Sequence, residues 1–493
     1  MKRALFVLLA MPWTAAAQGA TDPAAAADRI FAQWNSPQSP GCAVGVARDG
    51  TTILARGYGM ANLETGTPIT PATIFESGSV AKQFTAAATM LLVADGKLNL
   101  DDPVRKYIPE LPEYPQVLRV RHLLSHTSGL REWSSLVSVA GWPRGSRVHT
   151  QDDLLEVVVA QRSLNYPVGQ YYSYTNSGFA LLVTIIERVS GMPFTRFTAE
   201  RIFTPLGLKQ TGWRSDFTTI VPGRAQAYSR SGDGWRLEMP FENVVGPGGM
   251  LTTVGDWLVW NDALDHKTLG VGVVDSLERQ AVLNSGRRIP YARGLIVSSY
   301  RGLREIAHSG STGGYSTYLA RYPGERLSIA VLCNAAGAAA TAFTRQLVDA
   351  LVPGLAAAPR PDTVATDPGE IARLAGVYRS TRTHEPMRVG LGGAGRGAAP
   401  PRRLQEGDYL MGNTRVRFEL AMNGAPLGLR TFPNDGDTVA FVFVSREPWA
   451  PTPQDLAAFA GRYRSDEVSA TYVASVEEGR LVLALRTAVK RDL

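Results

Sequence analysis

An apolar helix whose first turn carries a serine and a lysine constrains this fold more than any other feature of the sequence. Between Val80 and Leu91, apolar residues recur at intervals of three and four, which is the spacing of a buried helical stripe. Gly96 provides a C-terminal stop. Ser79 and Lys82 lie three residues apart where this helix begins, so their side chains can meet on one face.

Lysine is rare in this chain, which has seven lysines and 44 arginines among its 51 basic residues. Arginine stays protonated in proteins, whereas lysine can lose its proton when it is desolvated. Lys82, one helical turn from the Ser79 hydroxyl, is therefore a candidate activator of a nucleophile. The alternative is an N-cap serine beside a surface lysine, since a Ser-x-x-Lys pattern arises by chance about once in two such chains.

A second polar motif, Tyr174-Thr175-Asn176, precedes the apolar segment 179–189. Residues two apart in an extended segment point the same way, so Tyr174 and Asn176 project together. A tyrosine can relay a proton if a nearby cation such as Lys82 lowers its pKa. An asparagine amide can both donate to and accept from a substrate amide. A turn with a helix cap is the alternative interpretation.

A third motif, His308-Ser309-Gly310-Ser311, ends an apolar strand. His308 and Gly310 lie on the same face of that strand, and a glycine lets a ligand approach the backbone closely. The chain has only six histidines, so this one is a candidate binding residue; a structural histidine is the alternative.

The order and approximate spacing of these motifs resemble those of the penicillin-recognising serine hydrolases. The three pairs that carry the resemblance are Ser79-x-x-Lys82, Tyr174-x-Asn176 and His308-x-Gly310. The chain is similar to the class C β-lactamase-like branch, which includes DD-peptidases, D-aminopeptidases and esterases. Further segments that fit this family are Asp101–Val104, His122–Leu130, Phe203–Leu208 and Gly248–Met250. The resemblance covers approximately residues 25–352.

The resemblance implies a mechanism. Ser79 attacks a carbonyl and forms an acyl-enzyme, and Lys82 and Tyr174 share the general-base role. The backbone N–H groups of Ser79 and Ser311 form the oxyanion hole. The residues expected to bind the substrate are Asn176, His308, Gly310 and Ser311. No cofactor and no metal are expected, and the pair His122 and His126 is interpreted as structural.

His308 stands where the better-known β-lactamases have a lysine, and this departure favours an esterase or peptidase. A histidine is mostly neutral at pH 7, whereas a β-lactam carboxylate is suited by a permanent charge. Three functions remain open: a hydrolase of small esters or D-amino-acid amides and peptides, a cell-wall DD-peptidase or β-lactamase, and a catalytically silent binding module. The partner is a small-molecule substrate in the first two cases.

The first 17 residues have the pattern of a cleavable signal peptide. Lys2 and Arg3 precede the apolar run 4–11, and Ala15–Ala17 form a cleavage site. No later run reaches the about 18 apolar residues of a transmembrane helix. We therefore expect a periplasmic or secreted protein whose mature chain has no transmembrane span; a retained N-terminal anchor is the alternative.

Composition is that of a globular enzyme of two or three domains. The chain has 493 residues, 44% of them hydrophobic, and a net charge of +7. Because its arginines are mixed with acids rather than clustered with aromatic residues, nucleic-acid binding is not supported. The oligomeric state stays open.

The expected fold class is α/β (α+β), a β-lactamase/transpeptidase-like antiparallel sheet with a helical lobe, followed by all-β C-terminal domains. The domains predicted are a hydrolase domain at 18–352, a linker at 353–370, a β-barrel-like domain at 371–450 and a partial second β unit at 451–493. The segment 374–380 is echoed 85 residues later at 459–465, so each copy is expected to open a β unit.

The family fold implies that the first and last strands of the hydrolase domain are antiparallel neighbours. Cys42 opens the first of these strands and Cys333 closes the last. A bridge between them is one expectation in an oxidising compartment; two buried thiols are the favoured one.

Overall fold

The computed structural model describes residues 22–357, 363–390, 401–412, 414–432, 438–447 and 450–487. The predicted signal peptide, residues 1–17, lies outside the described residues, as does part of the predicted linker, 358–362.

The helices and strands follow the order expected for a hydrolase domain with β units behind it. The helices are α1 Pro23–Ile30, α2 Lys82–Ala94, α3 Val120–Leu124, α4 Trp133–Val139, α5 Gln151–Val159, α6 Asn176–Ser190, α7 Phe194–Thr198, α8 Thr204–Leu206, α9 Val254–Asp265, α10 Val271–Leu277, α11 Ala340–Leu351, α12 Pro368–Leu374 and α13 Pro453–Ala457. The strands of the hydrolase domain are β1 Cys42–Arg48, β2 Thr51–Tyr58, β3 Met60–Asn62, β4 Thr67–Pro68, β5 Phe75–Glu76, β6 Gly212–Trp213, β7 Tyr228–Ser231, β8 Gly234–Leu237, β9 Met250–Thr252, β10 Ile296–Tyr300, β11 Leu303–Thr312, β12 Tyr315–Tyr322 and β13 Leu327–Cys333. Those behind it are β14 Gly376–Ser380, β15 Pro386–Val389, β16 Arg402–Arg403, β17 Tyr409–Met411, β18 Thr414–Leu420, β19 Pro426–Phe432, β20 Val439–Ser445, β21 Gly461–Ser465, β22 Ala470–Glu477 and β23 Arg480–Thr487.

A six-stranded antiparallel sheet forms the centre of the hydrolase domain. Its order is β10-β11-β12-β13-β1-β2, so the first strand of the chain pairs with the last strand of the domain. The hairpin between β1 and β2 turns at Asp49 and Gly50, both with positive φ, as an Asp-Gly turn requires. Helices α1 and α11 pack on one face and α9 on the other, so the sheet is buried on both sides. The predicted fold class is confirmed.

A disulfide joins Cys42 and Cys333, so the favoured expectation of two buried thiols is wrong. The register of β1 and β13 places these two residues directly opposite one another. Opposed side chains of an antiparallel pair share a face and lie close together, which is what a bridge requires. The proximity itself was expected from the family fold, although the two cysteines are 291 residues apart in sequence.

The helical lobe is built around α6, which contacts both α2 and α3. Helix α2 is buried almost all round rather than along one stripe, since its residues from Lys82 to Leu92 are all buried. Ser79 does not lie in α2 itself: it occupies the 3-10 turn Gly78–Ala81 that leads into the helix. A charged residue in such a helix needs partners, because burying an unpaired charge is costly.

Two β units follow the hydrolase domain. A seven-stranded sheet has the order β15-β14-β20-β19-β18-β17-β16, and a three-stranded sheet the order β21-β22-β23. The sequence echo is matched by local structure, because a short helix precedes the first strand of each unit. The Tyr378 hydroxyl donates to the Leu374 carbonyl, and the Tyr463 hydroxyl donates to the Phe459 carbonyl at the matching position. The second sheet has three strands where the first has seven.

The three-stranded sheet contacts the helical lobe. Glu467, in the turn between β21 and β22, lies 2.6 Å from the Arg131 guanidinium and accepts from the Arg162 backbone N–H. The Tyr472 hydroxyl donates to the Val139 carbonyl at 2.6 Å. The last β unit therefore reaches the segment that begins α4.

Across the described ranges, no single helix is long and apolar enough to cross a membrane. The helices Asn176–Ser190 and Phe194–Leu206 reach that length only as a pair bent by 81°.

Candidate active site

Ser79 lies in a turn that is packed tightly against strand β11. Gly78 has φ of 53°, and a Cβ built on it would lie 2.5 Å from the backbone nitrogen of Ser311. Glycine is therefore required at position 78 both by its backbone conformation and by the strand beside it. The Ser79 turn and the Ser311 backbone are brought together by this contact.

Gly310 makes the matching approach from the strand. A Cβ on Gly310 would lie 2.0 Å from the Ser77 carbonyl oxygen and 2.3 Å from the Thr317 hydroxyl. The Thr317 hydroxyl donates to the same Ser77 carbonyl at 2.7 Å. The absence of a side chain at Gly310 thus serves the packing of strand against turn.

Lys82 is fully buried, and its ammonium nitrogen contacts three oxygen atoms. Nζ lies 2.7 Å from Asn176 Oδ1, 2.8 Å from the Pro247 carbonyl oxygen and 3.1 Å from Ser79 Oγ. The first two oxygens can only accept hydrogen bonds. A neutral amine has two N–H donors and one lone pair, so those two carbonyls take both donors and the lone pair faces the serine hydroxyl.

Burial also favours the neutral amine. Desolvation lowers the pKa of Lys82 to about 7, against a smaller raising effect of the Glu132 carboxylate. Lys82 can therefore be neutral near physiological pH. This is the protonation state in which the lysine can accept the Ser79 proton.

Tyr174 stands over Lys82, with the lysine nitrogen 4.9 Å from the ring centroid. The expectation that Lys82 lowers the pKa of this phenol is wrong. Desolvation of the phenol raises the pKa of Tyr174 well above its ordinary value although 39% of the residue is exposed, and a hydrogen bond with the Ser79 hydroxyl opposes that effect only in part. Tyr174 is therefore a protonated phenol at neutral pH.

His308 is neutral and both of its ring nitrogens are engaged. Nδ1 donates to the Ser309 carbonyl at 2.6 Å, and the Tyr291 hydroxyl donates to Nε2 at 3.1 Å. Burial and the charge of Lys82 lower the pKa of His308 to about 3. The sequence identified His308 but missed Tyr291, which lies 17 residues upstream in a segment with no motif that the analysis used.

Glu132 is a second residue that the sequence analysis missed. Its Oε2 accepts from the Asn176 backbone N–H at 2.5 Å and from the Thr175 hydroxyl at 2.9 Å. Its Oε1 accepts from Asn176 Nδ2 at 3.2 Å. The same carboxylate caps α4 by accepting from the Ser134 N–H. Its place directly after the family segment His122–Leu130 was the only available signal.

A cavity of about 920 Å³ opens beside Ser79. Residues that line it include Ser79, Tyr174, Tyr291, His308, Gly310 and Ser311. Its walls are mainly aromatic rings and hydroxyl groups, the usual lining of a small-molecule site. A second recess, of about 50 Å³, is lined by Ser79, Trp133, Asn176 and the ion-paired side chains of Arg144 and Glu242.

The structure thus brings every residue predicted for the site into one region. Ser79, Lys82, Tyr174 and Asn176 are linked by direct contacts, and His308, Gly310 and Ser311 line the same cavity as Ser79. His126 also belongs here, since its ring centroid lies 4.1 Å from that of Tyr174. Trp133 lines the smaller recess, whereas Trp257 is buried in α9.

Solved structures share this fold at low sequence identity. The octameric penicillin-binding protein homologue from Pyrococcus abyssi superposes with a TM-score of 0.60 at 22% identity, covering 94% of this chain and 95% of that one. The D-amino acid amidase from Ochrobactrum anthropi SV3 gives a TM-score of 0.58 at 23% identity, over 67% of this chain and 98% of the amidase. At this level of identity the likeness concerns the fold.

Sequence comparison gives closer relatives. A D-aminopeptidase of Gluconobacter oxydans (strain 621H) is 30% identical over 318 residues, which are 63% of this chain and 59% of that protein. A D-aminopeptidase of Brucella anthropi is 28% identical over 457 residues, which are 90% of this chain and 82% of that protein. The sequence profile of the Beta-lactamase family matches residues 26–352. The chain therefore belongs to the Beta-lactamase family of serine hydrolases.

Proposed function

We propose that this protein is a serine hydrolase that forms an acyl-enzyme on Ser79 and hydrolyses D-amino-acid amides or peptides, and small esters. The observation that carries the proposal is the set of contacts around Lys82. Two carbonyl oxygens accept hydrogen bonds from the Lys82 amine, and the third contact of Nζ is the Ser79 hydroxyl oxygen at 3.1 Å. The names of the D-aminopeptidase relatives support the substrate class.

In the acylation step, the neutral Lys82 amine takes the Ser79 proton while Oγ bonds to the substrate carbonyl carbon. The backbone N–H groups of Ser79 and Ser311 stabilise the resulting oxyanion; the close packing at Gly78 supports this assignment. The carbon–nitrogen or carbon–oxygen bond to the leaving group then breaks. Lys82 returns the proton to that group.

Tyr174 and Asn176 have separate roles in this scheme. Because Tyr174 keeps its proton at neutral pH, it acts as a hydrogen-bond donor toward the leaving group rather than as the base. Asn176 Oδ1 holds one Lys82 proton and so aims the lysine lone pair. Water then attacks the acyl carbon while Lys82 accepts its proton. The bond from that carbon to Ser79 Oγ breaks, Lys82 returns the proton to Oγ, and the acid product leaves.

The state of His308 supports amide and ester substrates over β-lactams. A neutral ring whose nitrogens meet the Ser309 carbonyl and the Tyr291 hydroxyl offers no charge and no free N–H to a substrate carboxylate. A site specialised for such a carboxylate needs a donor or a cation there. His308 and Gly310 therefore shape the substrate cavity in this scheme, and a DD-peptidase or β-lactamase is the less favoured assignment.

We further propose that the protein works in the periplasm or outside the cell. The Cys42–Cys333 disulfide supports an oxidising compartment, as does the signal-peptide pattern of residues 1–17. Cell fractionation, with alkylation of free thiols before mass spectrometry, tests this directly. Alkylated Cys42 in cytosolic protein would contradict it.

The enzymatic proposal is tested with matched substrates on the full chain. D-alanine p-nitroanilide, its L enantiomer, p-nitrophenyl acetate and a penicillin are assayed with the wild type and with Ser79→Ala. We expect turnover of the D-anilide and of the ester, slow or no turnover of the penicillin, and loss of all turnover in Ser79→Ala. Intact-mass analysis after fluorophosphonate treatment should place one adduct on Ser79.

Other outcomes identify the alternatives. Rapid penicillin turnover would indicate a β-lactamase, and a stable penicilloyl adduct a DD-peptidase. No adduct with either probe would favour the silent binding module. Full activity of Ser79→Ala would refute the site assignment.

A further inference from the structure

We propose that Glu132 is a positioning residue of the catalytic centre: it holds the Asn176 side chain in the one orientation that directs the Lys82 lone pair at Ser79, and it acts on the lysine through its charge. This inference deepens the proposed function and rests on it. Glu132 contacts neither Ser79 nor the large cavity among the contacts described, so its role is exerted through Asn176 and Lys82.

The first argument is the identity of the atoms that meet. A carboxylate only accepts hydrogen bonds, and Glu132 meets only donors: the Asn176 backbone N–H, Asn176 Nδ2, the Thr175 hydroxyl and Ser134. An asparagine amide has one accepting and one donating end. Because Nδ2 faces Glu132 at 3.2 Å, Oδ1 must face Lys82, where it lies 2.7 Å from Nζ.

The consequence for Lys82 is a choice between two arrangements. With Oδ1 toward the lysine, one lysine N–H is used by Asn176, a second by Pro247, and the lone pair is left for Ser79. With the amide reversed, Nδ2 would face Nζ, and the lysine lone pair would be drawn toward Asn176 instead of toward the serine. Glu132 excludes the second arrangement, because reversal would set Oδ1 against its carboxylate.

The second argument is electrostatic. Several titratable or charged groups surround Lys82: Glu132, Arg144, His126, His308 and Tyr174. Of these, Glu132 is the carboxylate, and its charge raises the pKa of Lys82, while desolvation and Arg144 lower it. The histidines and the tyrosine are neutral at pH 7, since burial lowers the pKa of each histidine and raises that of Tyr174.

A charge effect has a definite sign in the pH profile. The reactive form contains neutral Lys82, so the rate of Ser79 modification rises as the pH increases through the pKa of Lys82, about 7. Removing the Glu132 charge lowers that pKa further. The acid limb of Glu132→Gln is therefore displaced to lower pH, by on the order of one pH unit for an opposite charge nearby.

Loss of the Asn176 orientation lowers the rate of Ser79 modification on the high-pH plateau of the profile. It leaves the midpoint of that profile unchanged. In Glu132→Gln, the glutamine NH₂ group lies among donors, and the Asn176 amide can reverse. We therefore expect the plateau rate to fall about 10²-fold, which is the cost of an ångström-scale misplacement of a catalytic group. Glu132→Asp keeps the charge but shortens the reach to Asn176. It should lose plateau rate with a midpoint near that of the wild type.

The experiment measures the second-order rate of Ser79 modification by a fluorophosphonate from pH 5 to 9, with the full chain. The variants are Glu132→Gln, Glu132→Asp and, as a matched control, Glu156→Gln, which removes an exposed carboxylate from α5. We expect a lower plateau in both Glu132 variants, a lower midpoint only in Glu132→Gln, and no change in the control. If Glu132→Gln does not fold, the plateau of Glu132→Asp still decides the positioning role.

Four results would count against the inference, the last of them through the proposed function itself. A Glu132→Gln midpoint equal to that of the wild type removes the charge effect, and an undiminished plateau in both variants removes the positioning role. If the Glu132 variants hydrolyse D-alanine p-nitroanilide more slowly than the wild type but hydrolyse p-nitrophenyl acetate at the wild-type rate, Glu132 binds the substrate ammonium instead of positioning Asn176. Absence of labelling in the wild type itself would refute the proposed function, and the positioning role with it.

Discussion

Gly310→Ala tests whether the close packing of strand β11 on the nucleophile turn is needed for activity. A Cβ at this position would lie 2.0 Å from the Ser77 carbonyl oxygen, whereas ordinary contacts begin at 3.4 Å. Strand and turn must therefore separate by about 1.4 Å. The obstructing atom belongs to the backbone and cannot rotate away.

The separation acts on both sides of the site at once. Ser77 lies two residues before Ser79, and Gly310 directly precedes Ser311, so the two N–H groups proposed for the oxyanion hole move apart. A misplacement of about 1 Å can cost about 10²-fold in rate. Overpacking a close-packed region costs about 1–3 kcal/mol of stability. For Gly310→Ala we therefore expect kcat/KM to fall about 10²-fold and the free energy of unfolding to fall by about 1–3 kcal/mol.

The assay pairs kcat/KM for p-nitrophenyl acetate with urea denaturation. Gly272→Ala is the matched control, because position 272 lies in α10 with nothing within 4 Å of the added Cβ. Gly310→Ala with activity within about threefold of the wild type and unchanged stability would refute the packing argument.

Three further predictions concern the lysine, the disulfide and a buried ion pair. For the wild type, kcat/KM should rise as the pH increases through about 7, because Lys82 must lose its proton. In Lys82→Arg, kcat/KM should be about 10²–10⁴-fold lower at every pH measured, because arginine stays protonated. Replacing Cys42 and Cys333 together by serine should lower the free energy of unfolding by about 2–5 kcal/mol relative to the wild type. Denaturation with and without reductant checks this, because reductant should destabilise the wild type and leave the double variant unchanged. Arg214→Met should destabilise the fold by about 3 kcal/mol in denaturant titrations, because it removes the 2.8 Å partner of the fully buried Glu76; a stability equal to that of the wild type would show that Arg224, 3.1 Å away, suffices.

The motifs were predictable because their chemistry is local. Ser79 and Lys82 are neighbours on one turn, His308 and Gly310 alternate along one strand, and the Asp49-Gly50 turn follows from the preference of these residues for positive φ. Tyr174 and Asn176 were also predicted to project together, although Asn176 proves to be the first residue of α6. Each of these statements depends on residues close in sequence.

The residues that were missed act through contacts distant in sequence. Glu132 is separated from Asn176 by 44 residues and Tyr291 from His308 by 17, and neither belongs to a motif. The direction of the pKa shift of Tyr174 was missed for a related reason. A proton relay required the charge on Lys82 to lower the pKa of Tyr174, but desolvation raises the pKa of the phenol. The lowered pKa of the Lys82 amine agrees with the expectation from sequence.

The sequence by itself determined the family, the order of the elements and the chemical groups available to the site, because helix and strand periodicity and short motifs depend on neighbouring residues. Only the tertiary structure decided the Cys42–Cys333 bridge, the protonation states and the orientation of the Asn176 amide. These features depend on strand register, on desolvation and on which atoms face one another across the cleft. Residues adjacent in the chain do not determine any of these three factors.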